Sequence, residues 1–266
     1  MATKFGAREV ARLESVYASP AVAAQRARTR AVLSARSGER GLDVGCGPAF
    51  LAVELGREVG PGGHIVGIDE SPEMLEAARA RIAREGLSGR VEVRLGDAGR
   101  LDFPDATFDL VTAVQVYLYV HDVAGAIGEA ARVLRPGGRL AVVDTDWDSC
   151  VWLTSDRDRH RRVMDARGSY FVQQHLPTRL PGLLARAGLA LAHAEAIPLL
   201  ELNGGPDTFG GGLIGSIADV AARHGVPSDE ADGWMADLRA RASNANGHEY
   251  FFSLTRYLFV ATRPGG

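Results

Sequence analysis

Short apolar strands alternate with helical segments between residues 41 and 146, and this alternation constrains the fold more than any other feature. The stretch "HIVGID" predicts a strand, and "SPEMLEAARARIAREGL" follows it with a serine and a proline, the usual start of a helix. Strands that alternate with helices form right-handed βαβ units, so the pattern predicts an α/β fold with a parallel sheet. Ligands of such sheets bind beyond the carboxyl ends of the strands.

The rest of the chain adds helices and two further strands, "LALAHAEAIPLL" and "YFFSLTRYLFVAT". With 46% hydrophobic residues in 266, one large α/β domain is expected. We expect a core for ligand binding at about residues 37–146. The pieces outside the sheet, at about 1–36, 147–178 and 203–246, are predicted to pack together as a helical lid over its carboxyl edge.

Composition excludes several classes of partner. The net charge of −3 argues against nucleic acid, because phosphate contacts need a basic face. No stretch of about 18 apolar residues predicts a membrane span, and the charged first 20 residues do not resemble a signal peptide. Cys46 and Cys150 form neither a disulfide framework nor a zinc spacing. We therefore expect a cytoplasmic protein without a metal, either a monomer or a homodimer.

The stretch "LDVGCGPAF" forms a glycine turn after the first strand, with Asp43 two residues ahead of Gly45. Dinucleotide sites use G-x-G-x-x-G, in which a pyrophosphate rests on a helix N-terminus. Here the third glycine is missing after Gly47. A carboxylate in the turn repels a pyrophosphate and attracts a cation. The turn therefore favours a ligand that carries an amine or a sulfonium.

Two further acids end the next strands. Asp69 ends the second strand, where a carboxylate can accept hydrogen bonds from ribose hydroxyls. Asp97 ends the third strand and can accept from an adenine amine, while the backbone N–H of Ala98 donates to the ring. An amine, a ribose and an adenine together describe S-adenosylmethionine.

Four stretches carry a family resemblance: "LDVGCGPA", "IVGIDESPEML", "VEVRLGDAGRLDFPDATFDLV" and "EAARVLRPGGRLAVVD", which together cover about 41–144. The chain resembles class I S-adenosylmethionine-dependent methyltransferases of the small-molecule, ubiquinone- or menaquinone-methyltransferase-like type. Ala49 replaces the last glycine of the family pattern D-x-G-x-G-x-G. The resemblance implies a Rossmann-like, doubly wound seven-stranded sheet of order 3-2-1-4-5-7-6, and "YFFSLTRYLFVAT" supplies its antiparallel strand 7.

The resemblance also implies roles for individual residues. Asp43 and Gly45 face the methionine end of the cofactor, Asp69 faces the ribose, and Met74 packs on the adenine. Tyr17 covers the cofactor from the N-terminal helices. The residues expected to bind the cofactor are Tyr17, Asp43, Gly45, Cys46, Gly47, Asp69, Glu70, Met74, Gly96, Asp97, Ala98 and Gln115.

The loop after strand four excludes nucleic-acid methyltransferases. It contains "QVYL" where amino-group enzymes carry [DNS]-P-P-[YF], and it has no cysteine nucleophile. Lys4 is the only lysine, so a lysine-based tetrad is excluded. The predicted function is transfer of a methyl group to an O, N or C atom of a small molecule, such as a bulky apolar natural product or a quinone. The alternatives are a cofactor-binding protein that catalyses another reaction and a nicotinamide-dependent oxidoreductase.

Candidates on the acceptor side come from the loops after strands four and five and from the lid. A hydroxyl acceptor needs a base, for which histidine is the usual choice. His121, Tyr117 and His175 are the catalytic candidates, although His121 could instead cap a helix and His175 could be an exposed loop residue. The residues expected to contact the acceptor are Tyr117, Asp146, Trp147, Asp148 and His175.

Overall fold

The structure is a computed structural model that describes residues 7–168, 170–205, 207–243 and 249–265. One seven-stranded sheet has the order β3-β2-β1-β4-β5-β7-β6. The first five strands are parallel, and β7 runs antiparallel to both of its neighbours. The predicted fold class and strand order are therefore confirmed. The strands are β1 Arg40–Val44, β2 His64–Asp69, β3 Val91–Leu95, β4 Phe108–Val114, β5 Leu134–Trp152, β6 Ala190–Glu201 and β7 Phe252–Thr262.

Helices cover both faces of the sheet, and their starts follow local capping chemistry. Ser71 accepts the backbone N–H of Met74 at 3.2 Å and begins the helix that follows β2, because a side-chain oxygen there satisfies an otherwise unpaired donor. The helices in the described residues are α1 Ala7–Ala18, α2 Pro20–Leu33, α3 Phe50–Glu58, α4 Pro72–Arg84, α5 Val123–Val133, α6 Arg157–Gly168, α7 Leu176–Arg186, α8 Phe209–Arg223 and α9 Ser228–Ala242. None of these helices combines the length and the apolar character that a membrane crossing requires.

Two apolar clusters sandwich the centre of the sheet. On one face, α5 and α7 pack against β1, β4 and β5 through residues such as Ile127 and Leu180. On the other face, α3 and α4 pack through residues such as Leu55 and Ile82. Strand β4 is apolar and buried along nearly its whole length, as a central parallel strand should be. The carboxyl ends of β1, β2 and β4 are thereby held side by side at one edge.

Strand β5 is longer than the sequence predicts. It continues past Asp146 to Trp152 and pairs again with β7 through Trp152 and Phe252, after an irregularity between Asp146 and Val151. Residues 147–152 therefore belong to the sheet, whereas the sequence assigned them to the lid. The extension is stabilised by burial, since Cys150 and Trp152 point into a third apolar cluster.

This third cluster joins the far end of β5 and β7 to the helices outside the core. Helix α8 contacts α1, α6 and α9. Trp234 lies edge-on to Trp152 with 5.8 Å between ring centroids, and both rings are buried. The helices from the three predicted lid segments therefore share one apolar core. Residues 1–6, 169, 206 and 244–246 of those segments lie outside the described residues.

Candidate functional site

The glycine turn after β1 has a backbone that suits a closely approaching ligand. Gly45 has a φ of +62°, and a Cβ at this position would lie 2.4 Å from Cγ2 of Val116. The Cys46 N–H donates to the Ile68 carbonyl at 2.9 Å, which ties the turn to β2. Ala49, the departure from the family pattern, adopts the left-handed conformation with φ 60° that a glycine would adopt. The turn therefore keeps its shape without the third glycine.

Asp43 is a buried carboxylate at the end of β1, close to this turn. Its side chain is 3% exposed, and the Thr112 hydroxyl donates to its Oδ1 at 2.6 Å. Burial, helped by the charge of Asp69 and opposed by the Thr112 hydrogen bond, raises the pKa of Asp43 to about 7. Within the described residues, no arginine or histidine forms an ion pair with it. A buried acid without a counter-ion is suited to a cationic ligand.

Asp69 and Tyr17 lie on either side of the turn. The Gly47 N–H donates to Asp69 Oδ2 at 2.8 Å, and the Ser71 N–H donates to Asp69 Oδ1 at 2.9 Å. A Cβ at Gly47 would lie 3.8 Å from Cε2 of Tyr17, so the tyrosine ring covers the turn. A carboxylate has about four lone-pair sites, so Asp69 can still accept hydrogen bonds from ribose hydroxyls.

The other residues expected to bind the cofactor follow β2 and β3. Met74 is buried in the first turn of α4, and Glu70 is exposed. The Gly96 N–H donates to the Asp69 carbonyl at 3.1 Å, which places the ends of β2 and β3 side by side. Asp97 is exposed and accepts the Gly99 N–H at 2.7 Å, while Ala98 packs on the apolar core.

The loop after β4 presents Gln115 and Tyr117. Gln115 adopts a left-handed φ of 59°, and its Oε1 accepts the hydroxyl of Thr145 at 2.5 Å. Tyr117 is almost fully buried, and its hydroxyl has no hydrogen-bond partner among the described residues. Burial and the charge of Asp144 raise the pKa of Tyr117 above its ordinary value. Tyr117 therefore stays protonated at neutral pH and can act as a hydrogen-bond donor.

The two histidine candidates differ in their surroundings. His121 is exposed, and Asp122 caps α5 in its place by accepting the Gly125 N–H at 2.9 Å. The alternative that His121 caps this helix is therefore wrong. His175 precedes α7, and its Nδ1 lies 3.0 Å from Oδ2 of Asp148, with both side chains exposed. The structure thus brings together two of the acceptor-side candidates.

Trp147 and Asp146 follow the core part of β5. The Trp147 ring stacks on Phe171 with 5.1 Å between centroids and an interplanar angle of 18°. Asp146 is half-buried, and its Oδ1 accepts the Asp148 N–H at 3.2 Å. Trp147 therefore offers a flat apolar wall, while Asp146 shapes the irregular stretch of the strand.

Sequence reasoning missed four residues that surround the same space. Asp144 is fully buried at the end of the core part of β5, and burial raises its pKa to about 7. Arg167 lies on the buried side of α6, four residues after buried Val163, a spacing that could have revealed it. Arg256 lies two residues from buried Leu254 and from buried Leu258, on the same face of β7, and this spacing is also a visible signal. The missed residues are Asp144, Thr145, Arg167 and Arg256.

Over residues 7–168, 170–205, 207–243 and 249–265, no cluster of three or more His, Cys, Asp or Glu side chains is arranged to hold a metal ion.

Known proteins resemble this chain in sequence. A family model described as a methyltransferase domain matches residues 35–176. The demethylmenaquinone methyltransferase of Listeria monocytogenes serotype 4a (strain HCC23) is 33% identical over 165 residues, which cover 62% of this chain and 69% of that protein. An uncharacterized 37.1 kDa protein in transposon TN4556 of Streptomyces fradiae is 43% identical over 141 residues, which cover 53% of this chain and 40% of that protein. The match therefore spans about two fifths of the transposon protein.

Solved structures share the fold at lower identity. The geranyl diphosphate C-methyltransferase of Streptomyces coelicolor A3(2), in complex with Mg²⁺, geranyl diphosphate and S-adenosylhomocysteine, gives a TM-score of 0.57 at 15% identity, covering 91% of this chain and 78% of that chain. The [4+2]-cyclase SpnF gives a TM-score of 0.58 at 23% identity, covering 91% and 81%. These likenesses show the fold alone.

Proposed function

This chain belongs to the methyltransferase-domain family, and from that premise we propose that it transfers the methyl group of S-adenosylmethionine to an O, N or C atom of a small-molecule acceptor. One observation carries the proposal: Asp43 is a buried carboxylate beside the glycine turn, without a cationic partner among the described residues. A pyrophosphate would be repelled there, which disfavours a nicotinamide-dependent oxidoreductase. A ligand with a positive charge at its methionine end would supply the missing counter-ion.

The residues around the turn fit S-adenosylmethionine. When bound, this cofactor supplies an electrophilic methyl group on a sulfonium sulfur. We assign Asp43 to its cationic end, Asp69 to the ribose hydroxyls, and Asp97 with the Ala98 N–H to the adenine edge. The Tyr17 ring, which lies over Gly47, excludes water from the turn. Gln115 positions the acceptor side through Thr145.

The acceptor that suits the space beyond the turn has a flat apolar body. Support comes from three aromatic rings: the centroid of the Phe171 ring lies 5.6 Å from that of Tyr119 and 5.1 Å from that of Trp147. Support also comes from a relative whose name identifies a demethylmenaquinone as its substrate. A quinone or an aromatic natural product would stack on these rings. Much of the rate would then come from holding the acceptor atom in line with the methyl group.

His175 and Asp148 form the acceptor-side pair best suited to take a proton from a hydroxyl acceptor. Their 3.0 Å contact would orient the imidazole. We expect His175→Gln and Asp148→Asn to lower kcat with a phenolic acceptor by about 10- to 100-fold, without changing the affinity for S-adenosylhomocysteine. The measurement is steady-state release of S-adenosylhomocysteine. His64→Gln is the control, since His64 lies at the start of β2, at the opposite end of that strand from Asp69. Unchanged kcat in both variants would remove the pair from the mechanism.

The helices outside the sheet are the proposed lid over the acceptor. We assign about residues 37–146 to the cofactor core and about 1–36, 153–178 and 203–246 to the lid, which starts later than the sequence indicates because β5 runs to Trp152. We also propose that the protein is a cytoplasmic monomer or homodimer that does not act on nucleic acid, which the net charge of −3 supports. Light scattering after size-exclusion chromatography would give the oligomeric state.

Calorimetric titration of the purified protein tests the proposed function. We expect S-adenosylhomocysteine to bind with micromolar affinity or better, and NADH not to bind. A panel of hydroxylated quinones and phenols would then be incubated with S-adenosylmethionine, and methylated products sought by mass spectrometry. Tight binding of NADH alone would overturn the proposal. Binding of S-adenosylhomocysteine without any methylated product would favour the alternative that the protein binds the cofactor but catalyses another reaction.

A further inference from the structure

Buried polar atoms without partners concentrate on the acceptor side of the site. Among the described residues, seven buried side-chain nitrogen or oxygen atoms lack a hydrogen-bond partner, and five of them lie just beyond β4, on β5 near Asp144, or on the elements facing that region. Native proteins pair nearly all buried polar groups, so such a concentration indicates a ligand-binding site. The five atoms belong to Tyr117, Asp144, Trp147, Arg167 and Arg256.

Arg167 is the most unusual member of this group. It is 7% exposed, and its guanidinium lies 4.0 Å from the centroid of the Trp147 ring and 4.4 Å from that of Phe171. Its Nη1 has no hydrogen-bond partner, and no carboxylate of the described residues forms an ion pair with it. Aromatic faces offset only part of the cost of burying a cation. An anion bound against Arg167 would offset the rest.

Arg256 adds a second buried cation nearby. It is 2% exposed, and its Nη1 donates to Oε1 of Gln25 at 2.7 Å. Its Nε has no partner. Asp144 is close enough for its charge to act on Arg256, but the two form no ion pair within 4.0 Å. Burial raises the pKa of Asp144 to about 7, so this acid is only partly ionised at neutral pH. The surroundings therefore carry an excess of positive charge.

Tyr119 lies beside these groups and is accessible from outside them. Its ring is 6.0 Å from that of Tyr170 and 5.6 Å from that of Phe171, and the charges of Arg167 and Asp144 both act on it. Yet Tyr119 remains 48% exposed. A ligand can therefore reach Tyr119 beside Phe171, whose ring also lies against Trp147 and Arg167.

We propose that the acceptor is an organic anion whose flat apolar body lies against Tyr119, Trp147 and Phe171 and whose charged group is bound by Arg167. A guanidinium binds a carboxylate or a phosphate through paired N–H donors, and Arg256 adds positive charge on the β7 side. This inference rests on the proposed function, because it names the class of acceptor for the same site. The rings that Arg167 contacts, Trp147 and Phe171, lie outside the glycine turn, so Arg167 is assigned to the acceptor and not to the carboxylate of the cofactor.

Three probes of one shape test the anion inference: 1-naphthoate, 1-naphthyl phosphate and the neutral 1-naphthamide. Each is titrated calorimetrically into the 266-residue chain saturated with S-adenosylhomocysteine. We expect at least one anion to bind 10-fold or more tightly than naphthamide, and the two anions show whether a carboxylate or a phosphate is preferred. Arg167→Met and Arg167→Gln should each remove this preference and leave the affinity for S-adenosylhomocysteine within about twofold. Arg161→Met is the matched control, because Arg161 lies on the same helix with its side chain 70% exposed.

The outcomes separate the two proposals. Failure of the wild-type protein to bind S-adenosylhomocysteine overturns the proposed function. Binding of S-adenosylhomocysteine with no anion bound more tightly than naphthamide, or with no probe bound at all, overturns the anion inference alone. An anion preference that survives in both Arg167 variants, or that Arg161→Met also removes, overturns the assignment to Arg167. Loss of S-adenosylhomocysteine affinity in the Arg167 variants overturns it too, because the arginine would then serve the cofactor.

Discussion

Replacing Asp43 with asparagine is expected to weaken the binding of S-adenosylhomocysteine by roughly 30- to 1000-fold, which corresponds to about 2–4 kcal/mol. The amide keeps the shape of the side chain and can still accept the Thr112 hydroxyl that lies 2.6 Å from Oδ1. It removes the negative charge that we assign to the cationic end of the cofactor. Isothermal titration calorimetry of the wild-type protein and of Asp43→Asn at pH 8 measures the change.

The same substitution should stabilise the protein without ligand. Burial raises the pKa of Asp43 from 3.8 to about 7, so the folded state holds a proton that the unfolded state releases between these values. The favourable contribution of protonated Asp43 to stability is fully present below the pKa that this side chain has in the unfolded state. It is lost as the pH rises through the pKa of Asp43 in the folded state. Asparagine cannot ionise. The stability advantage of Asp43→Asn should therefore grow by about 2–3 kcal/mol between pH 5 and pH 8 in urea unfolding.

Asp109→Asn is the matched control for both measurements. Asp109 is also buried in the sheet, but it pairs with Arg135 and accepts the Arg40 N–H at 2.8 Å near the amino end of β4. We expect this control to leave ligand affinity unchanged and to destabilise the fold, since it breaks an existing pair. Tight ligand binding by Asp43→Asn, or a stability advantage that does not grow with pH, would contradict the role assigned to Asp43.

The second large effect is a contrast between the buried Arg167 and the partly buried Arg139. Arg167→Met should raise the free energy of unfolding by about 1–2 kcal/mol, because it removes a buried charge with no ion pair and keeps the volume. Arg139→Met should lower it by about 3 kcal/mol. Arg139 lies 2.7 Å from Glu39 and also donates to the Leu33 carbonyl at 2.9 Å, so its removal leaves a buried carboxylate unpaired.

Urea unfolding of the two single variants at pH 7, each compared with the wild-type protein, measures this contrast. Residues whose substitution raises the free energy of unfolding are typical of functional sites, because groups that bind a ligand often destabilise the protein when the ligand is absent. A loss of stability in Arg167→Met as large as that in Arg139→Met would mean that Arg167 is a structural residue. The anion inference would then lose its physical basis.

The core of the fold could be predicted because its signals are local. The strand "HIVGID" and the Ser71–Pro72 helix start correspond directly to β2 and α4. The apolar run that became β4 reflects burial on both faces of a parallel sheet. The carboxylates at the strand ends could be predicted for the same reason, since parallel strands bring Asp43 and Asp69 to one edge.

The sequence indicated Trp147, Asp148 and His175 on the acceptor side, but the rest of this side could not be predicted, because its signals depend on distant pairing. The continuation of β5 to Trp152 requires the second stretch of pairing with β7, about 100 residues later. Arg167 lies in a helix so rich in charge that its sequence indicates a solvated surface, and only its spacing from Val163 reveals the buried side. Nothing in a sequence shows that an arginine lacks a partner, since that depends on every element packed around it.

The long strand β5 has a consequence for how such enzymes diversify. Its first half lies beside β4 in the cofactor core, and its last residues pack among α6, α8 and α9. The family model ends at residue 176, before α8 and α9 begin. One continuous strand thus connects the part of the chain that the family model matches to helices that lie beyond it. New acceptor specificities can arise by exchange of the helices at the far end of this strand, while its register keeps the position of the methyl donor constant.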